Sequence, residues 1–281
     1  MKYKFLSIAV LAVLSVSVSS CHSETADLKL DVARGDVFRC TARMDRKLTI
    51  TTDVTMNMDQ YVETDRTLTV DEVKADGHVI FSVVMDRFYI KSTVFMGIPI
   101  SVEFDTDNPG RKGSESMARQ FGRMKGRTYR LETDNRGKPE DLYDRPAPDT
   151  VAGIADDVAG NDLYFNHLPE KAVKKGDRYT ITARVSDYVP VEARSTYTVK
   201  KITAGKVLLE VRSEFLKVPA GPDCLQVEEV RGNRTGNLEI DRKTGLTTRS
   251  EIKEDMAMDV RIGSRYLVEA TGTTVFTCEK K

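Results

Sequence analysis

The chain has 281 residues, 43 Lys+Arg balanced by 43 Asp+Glu, and 40% hydrophobic residues, enough for a real core, so wholesale disorder is excluded. Charge neutrality excludes a general nucleic-acid binder, which needs a basic excess to meet phosphates, and no nucleic-acid partner is expected. Four cysteines over this length do not make a small disulfide scaffold, and three scattered histidines do not make a zinc site.

Residues 1–20 read as a secretory signal. Lys2 and Lys4 give the positive start, and Phe5 to Val18 is an apolar run interrupted only by serines, too short for a comfortable membrane span. Val18-Ser19-Ser20-Cys21 then resembles a bacterial lipobox, in which the Cys is acylated, by palmitate or a similar chain, and becomes the mature N-terminus. That resemblance implies a membrane partner engaged through lipid on Cys21. His22, where the enteric sorting rule would place Asp for the inner membrane, favours the outer membrane, with the periplasmic or surface face left open. The expected division is 1–20 signal, 21–27 tether, 28–145 first β copy, 146–167 connecting segment with a short helix, and 168–281 second β copy.

The rest is dominated by period-two alternation, the mark of half-buried strands. Over 47–59, Leu48, Ile50, Thr52, Val54, Met56 and Met58 share one face, which predicts a strand about 40 Å long. Residues 93–105 repeat the pattern, and Met256, Met258, Val260 and Ile262 repeat it again. Helices are few: Ser114 to Met124 has Met117, Phe121 and Met124 on one face, and Asp149 to Ala159 is a second candidate.

Comparison of the halves shows a duplication. Val32 to Arg43 and Val173 to Arg184 are identical at six of twelve positions, with Phe38 against Tyr179. Leu68 to Phe88 matches Tyr197 to Phe215, and Leu131 to Gly137 matches Leu238 to Gly245, in the same order and about 110 to 140 residues apart. Gly35-Asp36 and Gly176-Asp177 are read as turn residues launching a strand, the glycine taking a positive φ. The fold class is therefore mostly β: two tandem related copies of long antiparallel curved sheet, barrel, half-barrel or sandwich like, with one or two short helices.

Cys40 lies on the inward face with Phe38 and Ala42, and its counterpart in the second copy is Ile181, so it is read as a reduced core hydrophobe. That leaves Cys224 and Cys278 as the expected disulfide, closing a 55-residue loop. A bridge involving Cys40 is the competing pairing, and Cys40 to Cys278 would make the first strand a neighbour of the last.

No catalytic constellation stands out. There is no G-x-S-x-G, H-E-x-x-H or C-x-x-C, and no phosphate-cradling glycine loop, so no catalytic residue, metal or cofactor is expected. Val79 to Met85 is apolar on both faces. One reading is a central strand covered by the Ser114 helix. The other is an apolar cavity lined by Val79, Phe81, Val83, Met85 and Met96. Asp149-Thr150-Val151 resembles a short O-glycosylation acceptor, with Thr150 as the acceptor, and an N-cap explains it equally well.

The lipobox, Gly35-Asp36-Val37-Phe38, Phe104-Asp105-Thr106, the run from Gly126 to Gly137, and Phe165 to Tyr179 together resemble an uncharacterised family of Bacteroidetes-type secreted lipoproteins. That resemblance implies localisation and fold class and assigns no activity. Where the family pattern commonly has Trp after the second Gly-Asp, this chain has Tyr179. Long curved strands with a capping helix are also similar, at the level of fold, to half-barrel lipid carriers of the bacterial envelope. The leading expectation is an outer-membrane-anchored, non-catalytic binding module for a lipid or other apolar ligand, or for an envelope protein partner. The alternatives are a structural or assembly protein that docks others through its sheet faces, and an enzyme whose site is assembled from scattered residues. Cys21→Ser is expected to shift the protein from the outer-membrane fraction to the soluble periplasm or to leave it unprocessed, as read by cell fractionation and intact mass.

Overall fold

The computed structural model describes residues 25–110, 115–143, 168–185, 189–220, 226–262 and 264–281. Cys21, Thr150, Cys224, the candidate helix 149–159 and the connecting segment 146–167 lie outside the described residues. Among the described residues fourteen strands and one helix follow in chain order. The first half holds β1 (Thr25–Ala26), β2 (Val37–Thr51), β3 (Thr55–Val73), β4 (Val79–Met96), β5 (Ile98–Asp105), α1 (Glu115–Phe121), β6 (Thr128–Thr133) and β7 (Pro139–Tyr143). The second holds β8 (Val173–Lys174), β9 (Arg178–Arg184), β10 (Val191–Ile202), β11 (Lys206–Lys217), β12 (Gln226–Asp241), β13 (Thr247–Ile262) and β14 (Ser264–Lys280).

Twelve strands form one antiparallel sheet in the order β7-β6-β4-β3-β2-β14-β13-β12-β11-β10-β9, with β5 beside the upper part of β4. The ladder is open, ending at β7 and β9. Each half is a meander of the same connectivity, β2-β3-β4-β6-β7 matching β9-β10-β11-β12-β13, and β14 joins the two. The equivalence extends to single hydrogen bonds. Gly35 N–H donates to Val70 O and Val70 N–H to Asp36 O; Gly176 N–H donates to Val199 O and Val199 N–H to Asp177 O. The Asp36 carboxylate accepts from Ala33 N–H and the Asp177 carboxylate from Lys174 N–H. Gly35 and Gly176 have φ of 87° and 92°, which a side chain would strain.

The expected single strands over 47–59 and 93–105 are in fact hairpins. The first turns through 52–54 and the second at Gly97. In both, paired residue numbers differ by an even count, as in Leu48 opposite Met58 and Val94 opposite Ile100. An odd-length turn preserves the face on which each parity lies, so alternation runs through it without a visible break.

The inner face carries Phe38, Cys40 and Ala42 and is covered below by the segment 25–32. Leu28 and Ala26 pack into the second half with Val207, Leu209 and Ile240, while Leu30 packs into the first half with Phe38, Leu68 and Phe81. Leu30 N–H donates to Asn135 O in the β6–β7 turn, and the next residue, Asp31, donates to Thr244 O in the β12–β13 turn. Those turns are six strand steps apart in the sheet, about 29 Å if it were flat. Two consecutive residues reach both, so the sheet is strongly curled at this end. The reciprocal tie runs from Leu168 N–H to Arg136 O. Gly245 is required here because a Cβ would lie 2.1 Å from the Lys29 carbonyl oxygen. Residues 25–27, at the end of the expected 21–27 tether, engage the fold: β1 pairs with β8, and Asp27 binds Arg136. Higher on the same face α1 covers the first half, with Phe121 stacked on Phe88 and Met124 buried.

The cysteine expectation is corrected. Cys278 is bonded to Cys40, not to Cys224, with Cα atoms 4.1 Å apart and the two residues directly opposite in the β2–β14 ladder. The repeat misled because the counterpart of β2 is β9, which among the described residues pairs only with β10 and ends the sheet, so Ile181 has no strand corresponding to β14 beside it. Phe38 is fully buried, whereas Tyr179 on the edge strand is half-buried and stacks on Tyr197. The bridge spans 238 residues of sequence, so on the loop-entropy estimate it contributes about 5 kcal/mol. Cys40→Ala/Cys278→Ala is expected to lose roughly 2–5 kcal/mol in urea unfolding while keeping a β-type circular dichroism spectrum; Cys224→Ala is expected to lose nothing from the bridge.

Candidate ligand-binding face

A single polar register line crosses the inner face from β10 to β4. Read along cross-strand pairs it runs Ser195, Ser213, Arg234, Glu254, Gly272, Arg46, Gln60, Ser92. No bulge interrupts it, so all these residues point to one side. The groups bind along the row: Ser195 Oγ to Ser213 Oγ at 2.8 Å, Arg234 to Glu254 as an ion pair, Arg46 Nε to Gln60 Oε1 at 2.7 Å, and Gln60 Nε2 to Ser92 Oγ at 3.3 Å. The Arg234 guanidinium also lies 5.0 Å from the centre of the Phe215 ring. Burial pushes the Arg46 guanidinium below its ordinary value, with Glu254 opposing the shift.

Below this row the face is closed. There, Val79, Phe81 and Val83 pack with Phe38, Leu68 and Leu131, and Met85 packs with Phe88 and Phe121. All four are at most 3% exposed. Of the two readings of this stretch, the covered central strand fits the packing and the open cavity does not: the residues are interior, because the 25–32 segment and α1 cover the part of β4 they occupy. The Met96 side chain lies outside the described residues.

Above the row lie two further register lines that are almost wholly apolar. One contains Met256, Ala270, Leu48, Met58, Val94 and Ile100; the next contains Val230, Met258, Val268, Ile50 and Met56. On the second half, Val191, Phe215 and Val260 are buried beneath neighbouring segments. On the first half Leu48, Ile50, Met56, Met58 and Val94 are only half-buried, and Ile98 and Ile100 are 72% and 53% exposed. At the hairpin tip Val54 is 70% exposed. Water-exposed apolar surface on the inward side of a curled sheet is what a ligand or partner would cover. The sequence pattern marked Leu48, Ile50, Met56 and Met58 as one face, but nothing in it distinguished the covered end from the open one.

The other sequence candidates are engaged structurally. Asp36 is held below the usual carboxylate range by its bond from Lys280 and by Ala33 N–H, which outweigh partial burial. His78 lies 3.3 Å from Glu132, to which Lys74 also binds. On the outer face Arg87 binds Asp105 through two bonds and Glu63 through a third, beside an open polar groove of about 760 Å³ whose Lys125 is held by Asp107. Among the described residues no group of three or more His, Cys, Asp or Glu is placed to hold a metal ion.

A family of unknown function (DUF6263) matches residues 163–247, part of the second half. No curated protein matches the chain. Among solved structures the fold is similar to one described as lipid–protein interactions in lipovitellin, with a TM-score of 0.56 at 10% identity, covering 89% of this chain and 26% of that one. This chain thus spans about a quarter of the lipovitellin chain. A crystal structure of Pseudomonas aeruginosa OccK7 aligns with a TM-score of 0.29 at 7% identity, over 88% of this chain and all of that one. An outer membrane channel from Pseudomonas putida F1 aligns at 0.21 and 6% identity, over 89% of this chain and 97% of that one.

The Arg234–Glu254 pair is 16% and 23% exposed, sheltered enough that losing one partner matters. Glu254→Leu is expected to cost about 1–2 kcal/mol in urea unfolding because Arg234 loses that carboxylate, and the double variant Arg234→Leu/Glu254→Leu is expected to recover part of it.

Proposed function

We propose that this protein is a non-catalytic binding module of the cell envelope, held to the outer membrane through lipid on Cys21, that takes up a lipid or similar apolar ligand on the open upper part of its inner face. The observation that carries this reading is the pair of apolar register lines above the polar row, half-exposed on the first half although they face inward. Burying even one large side chain of that surface against a ligand contributes about 1.5–3 kcal/mol, so a handful suffices for stable uptake. The likeness of fold to lipovitellin, whose structure is described in terms of lipid–protein interactions, supports the same reading. The resemblance of Val18 to Cys21 to a lipobox supports the anchor. Within this reading residues 1–20 are removed, the tether is 21–24, and the two copies meet across 146–167. No helix among the described residues is long and apolar enough to cross a membrane.

A second reading, docking of an envelope protein, draws on the exposed apolar tips at Val54, Phe95 and Ile98. One experiment separates the two. Native mass spectrometry after mild detergent extraction is expected to show the chain with bound lipid mass, and Ile50→Glu/Met58→Glu is expected to lose that mass while Thr49→Glu, on the outer face, retains it. A co-purified protein instead of lipid supports docking; a bare chain that also takes up no added lipid overturns the binding-module reading.

A further inference from the structure

Resting on the reading of the upper face as an apolar ligand site, we propose that Arg46 is the anchor for the anionic group of the ligand, which makes the ligand an amphiphile with a carboxylate or phosphate head and a long chain. Arg46 occupies the centre of the polar row, on the strand where the two halves join, with Gly272 on one side and Gln60 on the other. Its Nε is used by Gln60 at 2.7 Å, which fixes the plane of the guanidinium and leaves the Nη edge for another acceptor. Among the described residues no carboxylate lies within ion-pair distance of Arg46, whereas the other arginine of the row, Arg234, is paired with Glu254.

The surroundings fit a bound anion. Gly272 carries no side chain that could compete for the guanidinium, and none fits, since a Cβ there would stand 2.7 Å from the Arg46 Cβ. One register line toward the core lie Met44 and Val62; one line toward the open end lie Leu48 and Met58. The guanidinium thus stands where packed core gives way to open apolar surface. Taking a cation out of water is unfavourable, and burial lowers the Arg46 pKa accordingly; an incoming carboxylate or phosphate relieves that cost with a bidentate, charge-assisted bond. From Arg46 to Thr51 the strand rises about 17 Å, and the inward residues along it, Leu48 and Ile50, are apolar. An acyl chain extended along the strand would meet apolar side chains for that whole length.

The test is isothermal titration of the mature chain with four probes: hexadecanoate, hexadecyl phosphate, hexadecanol and inorganic phosphate. The two long-chain anions are expected to bind at least about tenfold tighter than the alcohol, the worth of one charge-assisted hydrogen bond. Arg46→Gln is expected to bring them down to the alcohol, leaving the alcohol unchanged. Arg231→Gln, an exposed outer-face control, is expected to change nothing. Equal binding of anions and alcohol by the unaltered chain overturns the role of Arg46 while leaving the apolar site standing. Binding of none of the long-chain probes overturns the site itself. Inorganic phosphate binding as tightly as hexadecyl phosphate overturns the amphiphile in favour of a free-phosphate site. Should Arg46→Gln fail to fold, Arg46→Lys keeps the charge and is expected to keep the anion preference; loss of that preference in a folded Arg46→Lys, with alcohol binding intact, favours the planar guanidinium, and the unaltered chain's acid-to-alcohol ratio decides the proposal without any variant.

Discussion

The ladder between β2 and β14 is the constraint on which the rest of the molecule depends. Fourteen residue pairs, from Leu267 opposite Thr51 to Lys280 opposite Phe38, fuse two separate meanders into one sheet. A slip by one residue would move every side chain of one half to the wrong face. The Cys40–Cys278 bond fixes that register covalently. Because the register holds, Gly272 falls beside Arg46, Ala270 beside Leu48 and Val268 beside Ile50, so polar and apolar lines begun in one half continue in the other.

A curled sheet has one inner face to fill, and this chain fills it unevenly. The N-terminal segment supplies Ala26, Leu28 and Leu30 to the lower end, dividing them between the two cores. Helix α1 contributes Phe121, and the turn after it Met124, to the first half higher up. Beyond them the first half has no further cover among the described residues, and its apolar side chains meet solvent. The polar row marks the change: Arg234 is met by Glu254, Ser195 by Ser213, and Gln60 by both Arg46 Nε and Ser92, so most of its groups are bonded along the sheet, with the Nη edge of Arg46 the exception. The result is a face closed at one end and apolar and open at the other.

Duplication accounts for the matching turns and not for the whole molecule. Gly35-Asp36 and Gly176-Asp177 make the same bonds because each launches a strand in the same local geometry. Their strands then meet different fates. β2 becomes central through β14, and β9 remains an edge, which is why Phe38 is buried and Tyr179 only half so. Equivalence in sequence therefore predicts local conformation well and cross-strand partners poorly.

Local patterns were enough to determine the strand content and the inward set Leu48, Ile50, Met56 and Met58 from period-two alternation, the helix around Met117 and Phe121 from helical spacing, and the repeat from matched motifs, because side-chain parity and turn chemistry are local properties. The same locality hid the hairpins at 52–54 and Gly97, where odd-length turns leave parity intact. Which cysteines meet and which residue stands beside Arg46 depended on neighbours brought from more than 200 residues away, as with Cys278 beside Cys40 and Gly272 beside Arg46, and which apolar stretch is covered depended on segments about 40–55 residues away. Those are consequences of strand order and curl, and a linear sequence carries no local signature of either.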